Sequence, residues 1–345
     1  MTIDHGQRAS PFPSHGRGLT RQSARANTGL VPITIKTPMK TAHAIERRRF
    51  LQLSSAALAL AGFAPALLAA DAKPARTVKL KKAIMWGTVG VKGDILEKMR
   101  QVKAAGFEGV EPNGGMNNDE VVKAMQETGL LAASVCCHTH WAKPLSDPNP
   151  AVRETGLDGL KLSLRDAKRY GAGSVLLVPG VVNKQVGYED CWKRSIVEIR
   201  KAIPLAEELG VVIAIENVWN EFITKEDEAL RYLEEINSPW VKWHFDIGNI
   251  IWYGEPIAWI KKLGKKHISR LHIKEYSRDL AMKNGDKWKG FGAKFLEGAN
   301  NWPGIMKALD EIGYEGTWGI AEQGGGGSPE GLKDLATRMD KMFAS

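Results

Sequence analysis

The 345-residue sequence predicts an α/β chain folded as a (β/α)8 barrel, and three observations lead there. From about residue 78 onward, short apolar runs alternate with amphipathic stretches, as strands do when helices join them in parallel. Gly106, Gly129, Gly171, Gly210 and Gly313 each follow a helical stretch and precede an apolar run, where a left-handed residue ends a helix. Four runs in the second half end on metal-type side chains: Val211–Glu216, Val241–Asp246, Ile268–His272 and Thr317–Glu322. Such tips converge only when the strands lie parallel and side by side, and the C-terminal face of a parallel barrel is where these folds keep their chemistry.

Taken in order, Ala83–Trp86 is a first apolar run, followed by the amphipathic stretch Gly93–Ala105. Gly109–Glu111 and the helix Asn118–Thr128 come next, then Ala132–His138 and the longer helix Val152–Tyr170. Ser174–Pro179 leads into Tyr188–Leu209, Val211–Asn217 into Lys225–Ile236, and Val241–Ile247 into Ile257–Leu263. Ile268–Tyr276 precedes the longest irregular stretch, Ser277–Trp302, and then the helix Pro303–Ile312; a loop of that length in a compact domain is usually functional, here a lid over the barrel mouth. Gly316–Glu322 and the helix Pro329–Phe343 complete the set of eight strand–helix units. AAGFEGVE at 104–111 and EIGYEGTWGIAE at 311–322 read as one αβ turn used at both ends of the ring.

Strand side chains alternate faces, so Glu216 goes with Ala214, Asp246 with His244, His272 with Lys274 and Glu322 with Ile320. If those faces point inward, three carboxylates and one imidazole meet at the barrel top. Hard oxygen donors with one His suit Mn²⁺, Mg²⁺ or Co²⁺ better than a structural zinc site. Three close carboxylates also repel one another strongly without a cation. The competing reading is of polar residues scattered at strand ends with no spatial relation.

Composition bounds the rest. A hydrophobic fraction of 43% and a charged fraction of 25% are ordinary for a globular protein. The net charge of +9 sits mostly in residues 1–70, which hold nine Lys/Arg and two Asp/Glu, leaving +2 on the remainder. A near-neutral folded part argues against a nucleic-acid partner. Cys136, Cys137 and Cys191 show no CxxC or Cys/His zinc spacing and read as free thiols.

Glu46–Arg47–Arg48–Arg49–Phe50–Leu51–Gln52 precedes an Ala/Leu-rich run ending at Ala70–Asp71: a charged segment, an apolar segment and a small-residue cleavage site. The Arg-Arg-x-Phe-Leu core resembles the twin-arginine export signal. The expected organisation is a disordered leader or mis-assigned start at 1–38 (Met39 being the alternative start), the signal at 39–70, a linker at 71–79 and the barrel at 80–345. The expected location is the periplasm, with membrane contact only through the signal; an uncleaved anchor is the alternative.

IENVWN (215–220), HFDIGN (244–249), LHIKEYSRD (271–279) and NWPGIMKALDEIGYEGTWGIAEQ (301–323) resemble the xylose isomerase-like TIM-barrel superfamily, in its branch of sugar and sugar-phosphate isomerases and tagatose/ribulose-type 3-epimerases. The resemblance spans roughly residues 80–343. It implies one divalent metal, Mn²⁺ first with Co²⁺, Mg²⁺ or Zn²⁺ as alternatives, on Glu216, Asp246, His272 and Glu322. It also implies that Glu216 and Glu322 move a proton on opposite faces of the substrate carbon, through an enediolate. Arg278 matches an Arg that contacts substrate oxygens in the epimerases, and Asn249 stands where they often have His. Lys274, His138 and Trp219, the last with Trp86 and Trp252 as an apolar wall, complete the expected substrate contacts.

The function so implied is a metal-dependent isomerase or epimerase of a small keto sugar or keto-glycoside, with a lyase or dehydratase on a 3-keto sugar or inosose as the alternative. Export, and a chain read as lacking a Gly-rich or Arg-clustered phosphate cradle, favour an unphosphorylated substrate. The apurinic-endonuclease branch needs a His-rich multi-metal centre and a basic face, and an inactive sugar-binding barrel would not keep all four ligands. A homodimer is compatible with the exposed barrel ends.

Overall fold

The computed structural model describes residues 77–345; the expected leader, the export signal and the linker as far as residue 76 lie outside the described residues. The strands are β1 Lys81–Met85, β2 Gly109–Glu111, β3 Leu131–Ala132, β4 Val135–Cys136, β5 Ser174–Leu177, β6 Val212–Glu216, β7 Val241–Asp246, β8 Ile268–Ile273 and β9 Trp318–Ala321. All pairings are parallel, in the order β3-β2-β1-β9-β8-β7-β6-β5-β4, so the sheet is a nearly closed barrel alternating with helices.

The expected third strand is present in two pieces, which accounts for nine segments where eight were expected. β3 pairs with β2 and β4 with β5, so one strand changes partner midway and the ring closes through it. The backbone groups freed at the break find other partners: Ala133 N–H donates to Val110 O, and Ala133 O accepts from Arg270 Nε at 2.8 Å. Buried carbonyls left without such partners would each cost free energy.

Outward-facing strand residues such as Ile213, Ile215, Trp243, Phe245 and Leu271 are fully buried and pack with the helices in one large core. Inward-facing Ala83, Ala133, Trp318 and Ile320 form a separate small cluster in the barrel interior. The helices start where the sequence supplies caps: Asp94, Asn117, Asn149 and Ser328 each accept a backbone N–H of the first turn. The five helix-ending glycines all have positive φ, from 63° at Gly313 to 99° at Gly106. None of the helices among the described residues is long and apolar enough to cross a membrane.

Ser277–Trp302 is a correction to the sequence reading, because it is not irregular. Ser277 caps a helix, Arg278–Asn284, which runs into a 3₁₀ segment, Lys287–Gly292. The return is held by Glu275, fully buried at the exit of β8. Its carboxylate accepts from the backbone N–H groups of Tyr276, Leu296 and Asn300 and from Trp302 Nε1, the last at 2.9 Å. A second unforeseen helix, Ile247–Ile250, follows β7 directly because the Asp246 side chain accepts from Asn249 N–H.

Glu275→Gln replaces an all-acceptor group with one that points an N–H₂ at donors. It is expected to destabilise the protein by about 1–3 kcal/mol, measured by urea denaturation, and to speed amide exchange at Leu296 and Asn300. Unchanged exchange there would contradict the role given to this carboxylate.

Candidate active site

The strand register decides which side chains meet. β6 and β7 pair with Glu216 opposite His244, and β7 and β8 with Asp246 opposite His272. The second pairing depends on a one-residue shift between Trp243 and His244: Trp243 lies opposite Ile268, but His244 lies opposite Arg270. Without that extra residue Asp246 would face Leu271, whose side chain points to the other side of the sheet. With it, Glu216, Asp246, His272 and Glu322 bring one ligand atom each within 4.8 Å of one another.

Backbone and side-chain braces hold this group. Asn217 donates to Asp246 O at 2.7 Å and accepts from Asp246 N–H and Trp243 Nε1, locking the end of β6 to the end of β7. Gly248 passes so close to β8 that a Cβ there would lie 2.5 Å from the Lys274 carbonyl, so glycine is required by space. Lys274 then reaches Glu322 Oε1 at 2.8 Å and lies 3.9 Å from Asp246 Oδ2.

The charges are tightly coupled. Burial pushes the Glu216 carboxyl up, against the pull of His272, and pushes Asp246 well up, against the pull of Lys274. At Glu322 burial acts in the same direction but Lys274 and His272 overcome it, holding the carboxyl well below its ordinary value. Burial acts to lower His272 and Lys274, and their carboxylate neighbours overcome it, keeping both cations charged. Asp246 Oδ2 and Glu322 Oε2 are buried without a hydrogen-bond partner. Two orphaned carboxylate oxygens beside a further carboxylate and an imidazole nitrogen are a donor set that fits a divalent cation.

The other expected site residues are placed as follows. Asn249 is buried and braces the site, its N–H donating to Asp246 Oδ1 and its Nδ2 to Asn217 O. Trp219 Nε1 donates to Asn249 O, and the indole packs against Trp252, Tyr276, Trp288 and Phe291. Phe291 in turn lies 4.6 Å from Lys274 Nζ, so this aromatic group borders the carboxylates. Arg278 binds Ile251 O through Nε and Nη2, with Glu255 at 3.4 Å, and makes no bond to the four ligand residues. His138 is exposed beside Gly114 and Gly115, whereas His140 is buried and accepts from Val178 N–H.

Two buried residues were not assigned to the site from the sequence. Glu111, at the tip of β2, is fully buried with Oε2 at 2.9 Å from His272 Nε2. Its signal was the same as that of the four ligands, a carboxylate ending a strand. His244 is fully buried with its ring 4.2 Å from that of His272. Gly324–Gly327, two residues beyond Glu322, forms a glycine-rich turn with positive φ at Gly325, Gly326 and Gly327.

This barrel, with carboxylate and histidine side chains gathered at the ends of its last four strands, can be set beside known proteins. Residues 99–342 match the xylose isomerase-like TIM barrel family, and the chain belongs to it. Among characterised relatives it is similar to the L-ribulose-5-phosphate 3-epimerase UlaE of Shigella flexneri, 25% identical over 236 residues, 65% of this chain and 80% of that protein. The UlaE of Escherichia coli K12 is 24% identical over the same span. Among solved structures, the 3-keto-D-glucoside 4-epimerase YcjR of E. coli superposes with a TM-score of 0.64 at 17% identity, covering 77% of this chain and 100% of that one. D-psicose 3-epimerase of Clostridium cellulolyticum H10, crystallised with D-tagatose, gives 0.63 at 17% identity, covering 77% and 99%. These structural likenesses establish a shared fold.

Burial, with a smaller contribution from His138, lowers the His140 pKa to about 3. The unfolded chain takes up a proton below about 6.5 while the folded chain stays neutral, so stability falls as pH drops through that window. At pH 5 the deficit is about 2 kcal/mol. Urea denaturation at pH 7 and pH 5 should therefore show the wild type losing about 2 kcal/mol more than His140→Asn; equal losses would contradict a neutral buried ring.

Proposed function

We propose that the chain is a divalent-metal-dependent epimerase or isomerase of a small keto sugar or keto-glycoside, moving a proton at a carbon next to a carbonyl. The observation that carries the reading is the meeting of Glu216, Asp246, His272 and Glu322 with two unpartnered carboxylate oxygens, beside Lys274. The names of the relatives, sugar and sugar-phosphate 3-epimerases and a keto-glucoside epimerase, point the same way.

When bound, the cation, Mn²⁺ first among candidates, would be held by Glu216, Asp246, His272 and Glu322 and supply Lewis-acid polarisation of the substrate carbonyl. The remaining chemistry belongs to the side chains. Glu216 and Glu322 come from β6 and from the end of β9, strands three apart in the ring, and so approach a substrate carbon from different sides. One removes the proton, giving an enediolate, and the other returns a proton to the opposite face. Lys274, 2.8 Å from Glu322, keeps that carboxylate ionised and offers a cation near the developing oxyanion. Trp219, Trp252, Tyr276, Trp288 and Phe291 offer an apolar face for the carbon–hydrogen side of a sugar. His138, Asn249 and Arg278 are the proposed polar contacts to substrate from the segments that follow the strands.

An unphosphorylated substrate agrees with export to the periplasm through the twin-arginine-like segment at residues 46–71. The test is incubation of Mn²⁺-loaded protein with free ketoses, a ketose 5-phosphate and 3-keto glycosides in D₂O, followed by NMR. The reading expects deuterium at the epimerised carbon without elimination, and a drop in turnover of roughly 10²–10⁴-fold in Glu216→Gln and in Glu322→Gln, in variants that circular dichroism shows to be folded. Release of water or an aglycone would make the enzyme a lyase instead. Near-full activity in either variant would overturn the two-glutamate mechanism.

A further inference from the structure

Two groups of metal-type side chains share one residue. Glu216, Asp246, His272 and Glu322 form the first, and Glu111, His244 and His272 the second. To ligate a cation, His272 must give up the second proton that its carboxylate neighbours favour; the neutral imidazole then carries one lone pair and one N–H, so it can serve only one group as a ligand. Its Nδ1 faces the first group, 2.6 Å from Glu216 Oε1 and 3.5 Å from Glu322 Oε2. Its Nε2 faces the second, 2.9 Å from Glu111 Oε2.

We infer that Glu111 is a positioning residue, which accepts the Nε2–H of His272 and thereby presents the Nδ1 lone pair to the cation site. Three observations carry this. Glu111 and His272 are both fully buried, so no water competes for the bond. Glu111 ends the three-residue strand β2, paired with Met85 of β1, so its carboxylate is delivered by backbone on the side of the barrel away from β6 and β7. His244 packs its ring at 71° to that of His272, 4.2 Å between centroids, which restricts rotation of the imidazole about its own axis. An acceptor on one nitrogen and a neighbouring ring on the face leave a single orientation in which Nδ1 meets the carboxylates. A carboxylate on the distal nitrogen of a ligating histidine also raises its basicity, and loss of such a partner weakens metal affinity by roughly 10–100-fold.

Glu111→Gln is the informative change. Its amide can accept from Nε2–H or donate to Nε2, and the second arrangement places the proton on Nδ1, where it blocks the cation. The inference rests on the proposed metal site, and its test reads binding and tautomer rather than turnover. Mn²⁺ titration by calorimetry on the full chain should show the variant roughly 10–100-fold weaker than wild type, with circular dichroism melts reporting that it folds. Independently, ¹⁵N-histidine NMR of the Mg²⁺-loaded wild type should place the His272 proton on Nε2. Equal Mn²⁺ affinities, or a proton on Nδ1 in the loaded wild type, overturn the role of Glu111 while leaving the metal site intact. Should the wild type bind neither Mn²⁺ nor Mg²⁺, the metal site and the role of Glu111 fall together.

Discussion

Concentrated negative charge at the barrel mouth is the constraint on which the rest depends. Glu111, Glu216 and Asp246 are buried and Glu322 nearly so, and the cationic groups set directly among them are His272 and Lys274. Burying ionised groups in low dielectric is costly unless each is paired and hydrogen-bonded. Several local features of the mouth serve that end. The register shift in β7–β8 sets Asp246 level with His272, Asn217 pins the Asp246 backbone, Gly248 leaves room for the Lys274 carbonyl, and Lys274 reaches Glu322 from the neighbouring strand end.

The same constraint separates the two glutamates. Glu216 is boxed in beside His272, and burial dominates its carboxyl; Glu322 is more open, and Lys274 and His272 together outweigh burial. The two carboxyls thus carry opposite shifts although their oxygens lie close together. The segment bordering them is aromatic and held by hydrogen bonds. Glu275 holds the chain after β8 through four donors, and the 3₁₀ segment so placed sets Phe291 against Lys274. The segment expected to be an irregular lid thus carries a helix and a 3₁₀ turn and is tied back to the end of β8.

Much of this was legible in the sequence because the barrel repeats a simple grammar. Glu216, Asp246, His272 and Glu322 could be found as strand tips, and Lys274 by the two-residue alternation from His272. Glu111 ends a strand by the same rule, but its strand is three residues long and far from the others in sequence. The shift at Trp243–His244 leaves no mark in composition, since it concerns which residue of β8 lies opposite. The helix Arg278–Asn284 did carry a signal, the Ser277 cap, which the length of the stretch obscured. His138 and His140 could not be sorted by pattern, because which of two nearby histidines turns inward depends on the break in the third strand.

The central claim is that the four strand-end side chains form one cation site. Crystals soaked in MnCl₂ and measured at the manganese absorption edge test it most directly. The account predicts a single strong anomalous peak within about 2.0–2.3 Å of oxygens of Glu216, Asp246 and Glu322 and of His272 Nδ1, distances ordinary for such ligands. A peak on other residues, or none at this cluster at saturating Mn²⁺, would contradict it.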